Sequence, residues 1–395
     1  MKIVHIAKFY PPEPGGIENF VFDLANSQVG QGHRVTVLSH QTGFAKSSQQ
    51  ETINGVTVLR VRSFGQLAHA PACPGFPRHL HAIIRRFQPD IIHAHLPNLS
   101  AFWLLFLPKT CPIVLHWHAD VVSSALDRKM RYLYPLYNPC ETRLIQKADR
   151  IICTSRAYLD TSPALRRQRK KCVVIPLGLD PSRMAVSEPS DTPAFKKRTN
   201  RLLVLGVGRF AYYKGFEYLI QAAEKTPDAH FIIAGDGPGK SKIQNQVIAR
   251  SLQHRIFLPG QISRDELIHL FYQCDIFCLP SIERTEAFGL VLLEAMSFGK
   301  PLVTTSIAGS GVAEVNLPGV TGLQVPAANA EALAGAIQFL GRNPEIRMKM
   351  GQMAKKRFQN HFDIRFVAHR IETVYGDLIQ SDKKNAAQPV YTNLF

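Results

Sequence analysis

The residues best suited to chemistry lie in Pro280-Ser-Ile-Glu-Arg-Thr-Glu286-Ala-Phe-Gly289-Leu-Val-Leu-Leu-Glu294, where seven residues separate two glutamates across a Phe-Gly-Leu loop. A helix starting near Gly289 leaves Glu286 on the entering loop and carries Glu294 one to two turns inside. The N–H groups of Phe288, Gly289 and Leu290 would then face a ligand anion. Carboxylates accept paired hydrogen bonds from vicinal hydroxyls, so the pattern fits an anionic, hydroxyl-rich ligand. It fits equally a capping acid and a solvated helix glutamate.

A second set lies upstream in Leu202-Leu-Val-Leu-Gly206-Val-Gly208-Arg209-Phe-Ala-Tyr-Tyr-Lys214-Gly215. A strand ending in Gly-x-Gly-Arg, with a lysine five residues on, sets two cations at the carboxyl edge of a sheet, where they can neutralise a diphosphate. They can also be solvated surface cations. Near the amino terminus, Pro11-Pro-Glu-Pro-Gly15-Gly16-Ile-Glu18 joins a strand to a helix, and two glycines there let backbone amides approach a phosphate. The segment is not GxGxxG, and a tight turn needing positive φ explains it as well.

His93-x-His95 and His116-x-His118 each put two imidazoles on one strand face. Carboxylate or thiolate partners at metal-ligand spacing are missing, so no metal site is expected, and His93, His95 and His116 read as structural. His118, closing its strand, is suited to donate or accept a hydrogen bond. No Asp-x-Asp pair is available to hold a divalent ion on a diphosphate.

Apolar runs of strand length predict the elements that position these groups: 3–7, 35–39, 57–61, 91–94, 113–117, 151–154 and 172–176 in the first half, with helices at 17–30, 79–87 and 127–147. Residues 183–200 are polar and aperiodic. Short β-rich runs resume at 202–206, 230–234, 256–258, 276–279 and 302–305, and 330–379 is helical in pattern. The reading is α/β: two Rossmann-like doubly wound parallel-sheet domains facing a cleft. Expected boundaries are an N-terminal domain at 1–185, a linker at 186–200, a C-terminal domain at 201–360, a helix at 361–380 returning to the N-terminal domain, and a disordered tail at 381–395.

With 395 residues, 45% hydrophobic and 19% charged, the chain is too long for one small module and too apolar for disorder. The net charge of +17 comes from 47 basic and 30 acidic residues, and most of the excess lies before residue 200. Phosphorylated ligands, anionic lipid and nucleic acid all fit such a charge. No zinc spacing, aromatic RNP-type motif or basic recognition helix supports nucleic acid. Seven cysteines without a CxxC pair suggest free thiols, and no signal-peptide core or membrane-spanning run is visible, which reads as cytoplasmic and peripheral to the membrane.

Taken together, Gly15-Gly16, GVGRFAYYKG (206–215), AGDGPGK (234–240), PSIERTEAFGLVLLEAMSFGKPLVTT (280–305) and GVTGLQVP (319–326) resemble the retaining glycosyltransferases of family 4, which have the GT-B fold. The resemblance implies that Arg209 and Lys214 hold the diphosphate of a nucleotide-sugar, and that Glu294 binds the ribose hydroxyls. Glu286, with the amides of Phe288, Gly289 and Leu290, would hold the transferred sugar and its β-phosphate. Gly15 and Gly16 would close over that phosphate, Gly260 and Ile262 would border the base, and His118 would touch the donor sugar. Retention, metal independence and the absence of any cofactor beyond the nucleotide-sugar donor are implied in the same way. The stretches Trp117-His118-Ala-Asp120, Tyr134-Pro-Leu-Tyr137 and 175–180 look most like bacterial mannosyl- and rhamnosyltransferases of lipopolysaccharide and exopolysaccharide assembly. That favours GDP-mannose as donor and a polyprenyl-diphosphate-linked saccharide as acceptor, with UDP-glucose, UDP-galactose or UDP-N-acetylglucosamine as alternatives. Basic segments 128–137 and 165–171 are candidates for an anionic inner-membrane surface. Ala287, where the family often has glycine, and Gly309-Ser-Gly-Val-Ala-Glu314 depart from the commonest pattern and bear on sugar specificity.

Overall fold

The computed structural model describes residues 1–43, 47–67, 70–121, 128–185 and 201–387. The chain divides into two units, Met1–Gly178 with Ile364–Phe395, and Leu179–Asp363. The second unit thus takes up residues 179–185, which were expected in the N-terminal domain. The expected linker 186–200 lies outside the described residues.

In the first unit, the strands are β1 (Lys2–Ile6), β2 (Arg34–His40), β3 (Gln49–Ile53), β4 (Val56–Val61), a short β5–β6 hairpin (Gln66–Leu67, Ala70–Pro71), β7 (Ile91–Leu96), β8 (Ile113–Trp117), β9 (Arg150–Cys153) and β10 (Cys172–Val174). The helices between them are α1 (Gly16–Gly30), α2 (Phe76–Phe87), α3 (Arg128–Lys147) and α4 (Arg156–Thr161). Eight of these strands form one sheet in the order β10-β9-β8-β7-β1-β2-β4-β3, parallel except for β3 against β4. The central strands are predominantly apolar because helices cover both faces, and β1 is buried from Ile3 onward. Strand β3 escapes the sequence pattern: Gln49–Ile53 is a polar edge strand, exposed along most of its length. A closing helix, Ile364–Ala387, returns to this unit and buries Val367, Ile371 and Tyr375. It extends seven residues past the expected boundary at 380, so 381–387 are helical rather than tail.

The second unit is a parallel sheet in the order β13-β12-β11-β14-β15-β16, formed by β11 (Leu202–Val207), β12 (Ala229–Ala234), β13 (Ile256–Gly260), β14 (Ile276–Leu279), β15 (Leu302–Ser306) and β16 (Gly322–Pro326). Its helices are α5 (Phe216–Glu224), α6 (Lys240–Ala249), α7 (Arg264–Gln273), α8 (Leu290–Ser297), α9 (Val312–Val315), α10 (Ala330–Arg342) and α11 (Pro344–His361). Phe216, Leu219 and Ile220 of α5 pack with Leu333, Ile337 and Leu340 of α10 over Val204, Phe231 and Ile233 of the sheet. Strand order reverses at β1/β7 in the first unit and at β11/β14 in the second. The crevice outside the carboxyl ends of such strands is where doubly wound sheets bind ligands. No helix among the described residues is long and apolar enough to cross a membrane.

Candidate active site

In the second unit the reversal point brings the two sequence clusters into contact. Strand β11 ends at Val207, after which the chain runs through Arg209 to a short 3₁₀ turn, Tyr212–Lys214. Strand β14 ends at Leu279 and leads through Glu286 to α8. The loops are pinned by the Ile282 amide, which donates to Tyr213 O at 2.7 Å. Gly215 makes this approach possible: its φ is +64° and a Cβ there would collide with Pro280 O. Lys214 Nζ consequently donates to Glu286 Oε2 at 2.6 Å, with the two side chains only 12% and 10% exposed. Ser281 Oγ donates to the same oxygen at 2.9 Å. Burial alone would lower the lysine pKa, but the adjacent Glu286 carboxylate outweighs it and the net shift is upward.

Around this pair, the Ser310 hydroxyl donates to Glu286 O, and the Gly311 amide donates to Ala287 O at 2.8 Å. Helix α8 starts at Gly289 with φ +79° and no side-chain cap. Leu290 opens its first turn, whose amides an α-helix leaves without intrahelical partners, and Phe288 and Gly289 lead into it. Phe288 is buried, and Glu294 is half-buried in the second turn of α8. Arg209 is exposed and has no ion pair among the described residues. Its loop is held by the Phe210 amide donating to Asp236 O at 2.9 Å and the Gly239 amide donating to Phe210 O at 2.7 Å. Gly260 ends β13, where its carbonyl accepts from the Gly235 amide at 2.8 Å, and half-buried Ile262 follows two residues on. Arg209, Lys214, Gly260, Ile262, Glu286, Phe288, Gly289, Leu290 and Glu294 therefore lie at or after the carboxyl ends of strands in one sheet.

Gly15, Gly16 and His118 belong to the first unit. Gly15 is extended and caps α1, and the Glu18 carboxylate folds over it, filling the space a Cβ would need. Burial raises the Glu18 pKa, with Lys8 opposing. Arg60, which the sequence reading overlooked, fixes this loop: Nη1 donates to Tyr10 O at 2.8 Å, Nη2 donates to Pro11 O, and Nε pairs with Glu51 at 2.7 Å.

His118 follows β8 and is 4% exposed. It does not stand apart from the other histidines. His5, His93, His95, His116 and His118 pack together on one face of β1, β7 and β8, because the register sets His5 beside His93 and His95 beside His116. The His116 and His118 rings stack with centroids 4.3 Å apart. In two triads, His5–His93–His95 and His95–His116–His118, the ring nitrogens lie within 4.8 Å of one another. These triads, which share His95, are the residues able to hold a soft or borderline metal, although none of the five contributing residues is a carboxylate or thiolate. Burial lowers the pKa of His5 to about 4 and of His118 to about 3, and drives His93, His95 and His116 down as well, so all are neutral at pH 7.

The candidate membrane segments are less uniform than their composition suggests. Segment 128–137 lies in α3, and the side chains of residues 128–133 are outside what the structure describes. In 165–171, Lys171 Nζ donates to Gln146 O at 2.6 Å and Ala148 O at 2.8 Å, while Arg169 pairs with Asp160 at 3.4 Å. Those two cations are engaged in closing α3 and α4. Arg166, Arg167 and Lys170 remain exposed.

Two family models match the chain, "Glycosyltransferase Family 4" over residues 14–183 and "Glycosyl transferases group 1" over residues 187–357. The D-rhamnosyltransferase WbpZ of Pseudomonas aeruginosa is 30% identical over 368 residues, covering 92% of each chain. The chain belongs to glycosyltransferase family 4. A further relative of this glycosyltransferase is the O-antigen chain mannosyltransferase C of Escherichia coli, 28% identical over 96% of this chain and 100% of the relative. Sucrose-phosphate synthase from Thermosynechococcus elongatus shares its fold with a TM-score of 0.80 at 23% identity, covering 96% of this chain and 99% of that one. Anabaena Alr3699/HepE, solved with UDP and glucose, shares it with a TM-score of 0.74 at 20% identity, covering 96% and 100%. The architecture of the glycosyltransferase is thus GT-B, as the motifs implied.

Proposed function

We propose that this glycosyltransferase moves a hexosyl group, with retention of configuration and without a divalent metal, from a nucleotide-sugar to a lipid-linked saccharide of a cell-surface polysaccharide. The observation that carries the reading is the Lys214–Glu286 pair beside the uncapped amino terminus of α8, at the strand-order reversal of the second unit. Glu286 Oε2 is already committed to Lys214 and Ser281, which leaves Oε1 to accept from a sugar hydroxyl. Lys214, Arg209 and the α8 amides supply positive potential where charge develops on a departing diphosphate. In the reaction proposed, the bond from the anomeric carbon to the β-phosphate oxygen breaks, and the acceptor oxygen bonds to that carbon on the same face. The acceptor proton passes to the departing phosphate oxygen. Glu286 binds and orients the sugar rather than attacking it.

The rhamnosyl and mannosyl activities named for the two relatives favour GDP-mannose over a UDP-sugar as donor. A peripheral site on an anionic membrane is supported by Trp103, 37% exposed, with Phe106 and Leu136, each 75% exposed, in a unit that also exposes Arg166, Arg167 and Lys170. Calorimetric titration with GDP and UDP in EDTA, comparing wild type with Arg209→Ala, tests the donor site. Tight GDP binding weakened by the substitution is expected. Preference for UDP would overturn the mannosyl reading, and binding that requires a divalent ion would overturn metal independence.

A further inference from the structure

The histidines of the first unit form more than a buried cluster, because three of them are joined in line. Gln28, buried on α1, places Oε1 2.8 Å from His5 Nε2. His5 Nδ1 is 3.0 Å from His95 Nε2, and His95 Nδ1 is 3.1 Å from His118 Nε2. Phe20 of the same helix lies edge-on to the His95 and His118 rings, at 6.3 and 5.6 Å, and excludes water from the row.

A neutral imidazole carries one proton, so each link dictates the next. A carbonyl oxygen only accepts, hence His5 Nε2–H donates to Gln28 and His5 Nδ1 is bare. His95 Nε2–H must then donate to His5 Nδ1, which leaves His95 Nδ1 bare. His118 Nε2–H donates in turn to His95, and the last lone pair emerges on His118 Nδ1. That atom is buried and has no hydrogen-bond partner among the described residues. We propose that Gln28, His5 and His95 are positioning residues that hold His118 in its Nε2–H tautomer, presenting Nδ1 as an acceptor for a ligand hydroxyl.

The polarity of the row resides in one amide. Were Gln28 turned so that its nitrogen faced His5, every proton in the row would move to the other ring nitrogen and His118 would become an Nδ1–H donor. Gln28 Nε2 now has no hydrogen-bond partner among the described residues, while the Tyr375 hydroxyl of the closing helix lies 2.5 Å from His93 Nδ1. A metal ion in the row would have to break its links, because His5 Nδ1, both His95 nitrogens and His118 Nε2 are paired with one another at 3.0 and 3.1 Å.

The role of the ligand hydroxyl rests on reading His118 as a sugar contact; the tautomer does not. The full chain labelled with ¹⁵N-histidine, with long-range proton–nitrogen correlation spectra at neutral pH and His118 assigned by its absence in His118→Asn, decides the tautomer. The expected spectrum shows His118 with bare Nδ1 as a single tautomer, mixed tautomers in Gln28→Leu, and the single tautomer restored in Gln28→Glu, whose carboxylate keeps the acceptor. His118 as Nδ1–H in wild type, or a tautomer unmoved by Gln28→Leu, overturns the proposal. So does an equivalent of zinc that binds the wild-type chain and is lost in His95→Gln. In transfer assays, Gln28→Leu is expected to lower kcat roughly ten- to a hundredfold with donor KM little changed. With the tautomers as expected, unchanged turnover would remove His118 from the reaction centre and leave the row of imidazoles standing.

Discussion

Breaking the Lys214–Glu286 pair separates what it contributes to folding from what it contributes to transfer. At 2.6 Å the attraction is about 6 kcal/mol with an effective dielectric near 20, and desolvation of two side chains only 12% and 10% exposed offsets much of it. Removing one partner forfeits the attraction and keeps the desolvation cost of the other. Lys214→Met strands the Glu286 carboxylate with Ser281 as its remaining side-chain donor. Glu286→Gln strands the ammonium. Each single substitution is therefore expected to cost about 3–5 kcal/mol, and the double substitution less than their sum by about 3 kcal/mol. Native-state hydrogen exchange of peptides spanning β11 and β14 reads these values locally. Transfer should fall by roughly two to four orders of magnitude in all three variants, and the stability regained by the double should not restore it. Additivity within about 0.5 kcal/mol would refute the argument, since the two groups would then not be in contact in solution.

Gly215→Ala places a Cβ against Pro280 O at φ +64° and is expected to cost about 2–4 kcal/mol in thermal unfolding, with loss of transfer; a neutral result would remove the close approach from the account. Acid sensitivity of the first unit should reflect its neutral histidines. His5 and His40 have folded pKa values near 4 and His118 near 3, so the unfolded chain takes up protons first and stability falls as pH drops from about 6.5 towards 4. Glu141, raised to about 7 mainly by burial, works the other way: its contribution is complete below pH 4.5 and is lost as pH rises through 7. Glu141→Gln should accordingly make the loss of stability between pH 7 and 5 steeper, by up to about 1.4 kcal/mol per pH unit, and an unchanged slope in denaturant titrations would contradict this. Trp103→Ser with Phe106→Ser should weaken co-sedimentation with anionic vesicles without changing GDP binding; equal sedimentation would sever the exposed aromatics from the membrane.

Short apolar runs alternating with helical stretches made the βαβ order of both units legible, since central parallel strands are predominantly apolar even where β1, β7 and β8 carry histidines. Two of the four edge strands of the large sheets were not: β3 is Gln-Gln-Glu-Thr-Ile, and β16 has only one neighbour to bury against, whereas the edge strands β10 and β13 kept enough apolar residues to be read. The types of the site residues were readable because Arg209, Lys214, Glu286 and Glu294 sit in dense local motifs. The bond between Lys214 and Glu286 was not, because it spans 72 residues and depends on Gly215 admitting Pro280. His93, His95, His116 and His118 stood out in pairs, whereas His5 and Gln28, alone in apolar segments, gave no signal. Their part emerges only when strand register and α1 bring them into line. Arg60 was invisible for the same reason, as its partners are the backbone carbonyls of Tyr10 and Pro11.

The first unit is made from both ends of the chain, with the second unit inserted between Gly178 and Ile364. On the ribosome, Leu179–Asp363 is therefore complete while the first sheet still lacks the helix that covers it, reversing the usual order in which amino-terminal domains finish first. Until Tyr375 emerges, His93 has no phenol partner and the surface destined for Val367 and Ile371 stays open. The element that seals the histidine face is thus made after the whole of the second unit, and a nascent chain stopped short of it would expose an unfinished core to chaperones and proteases.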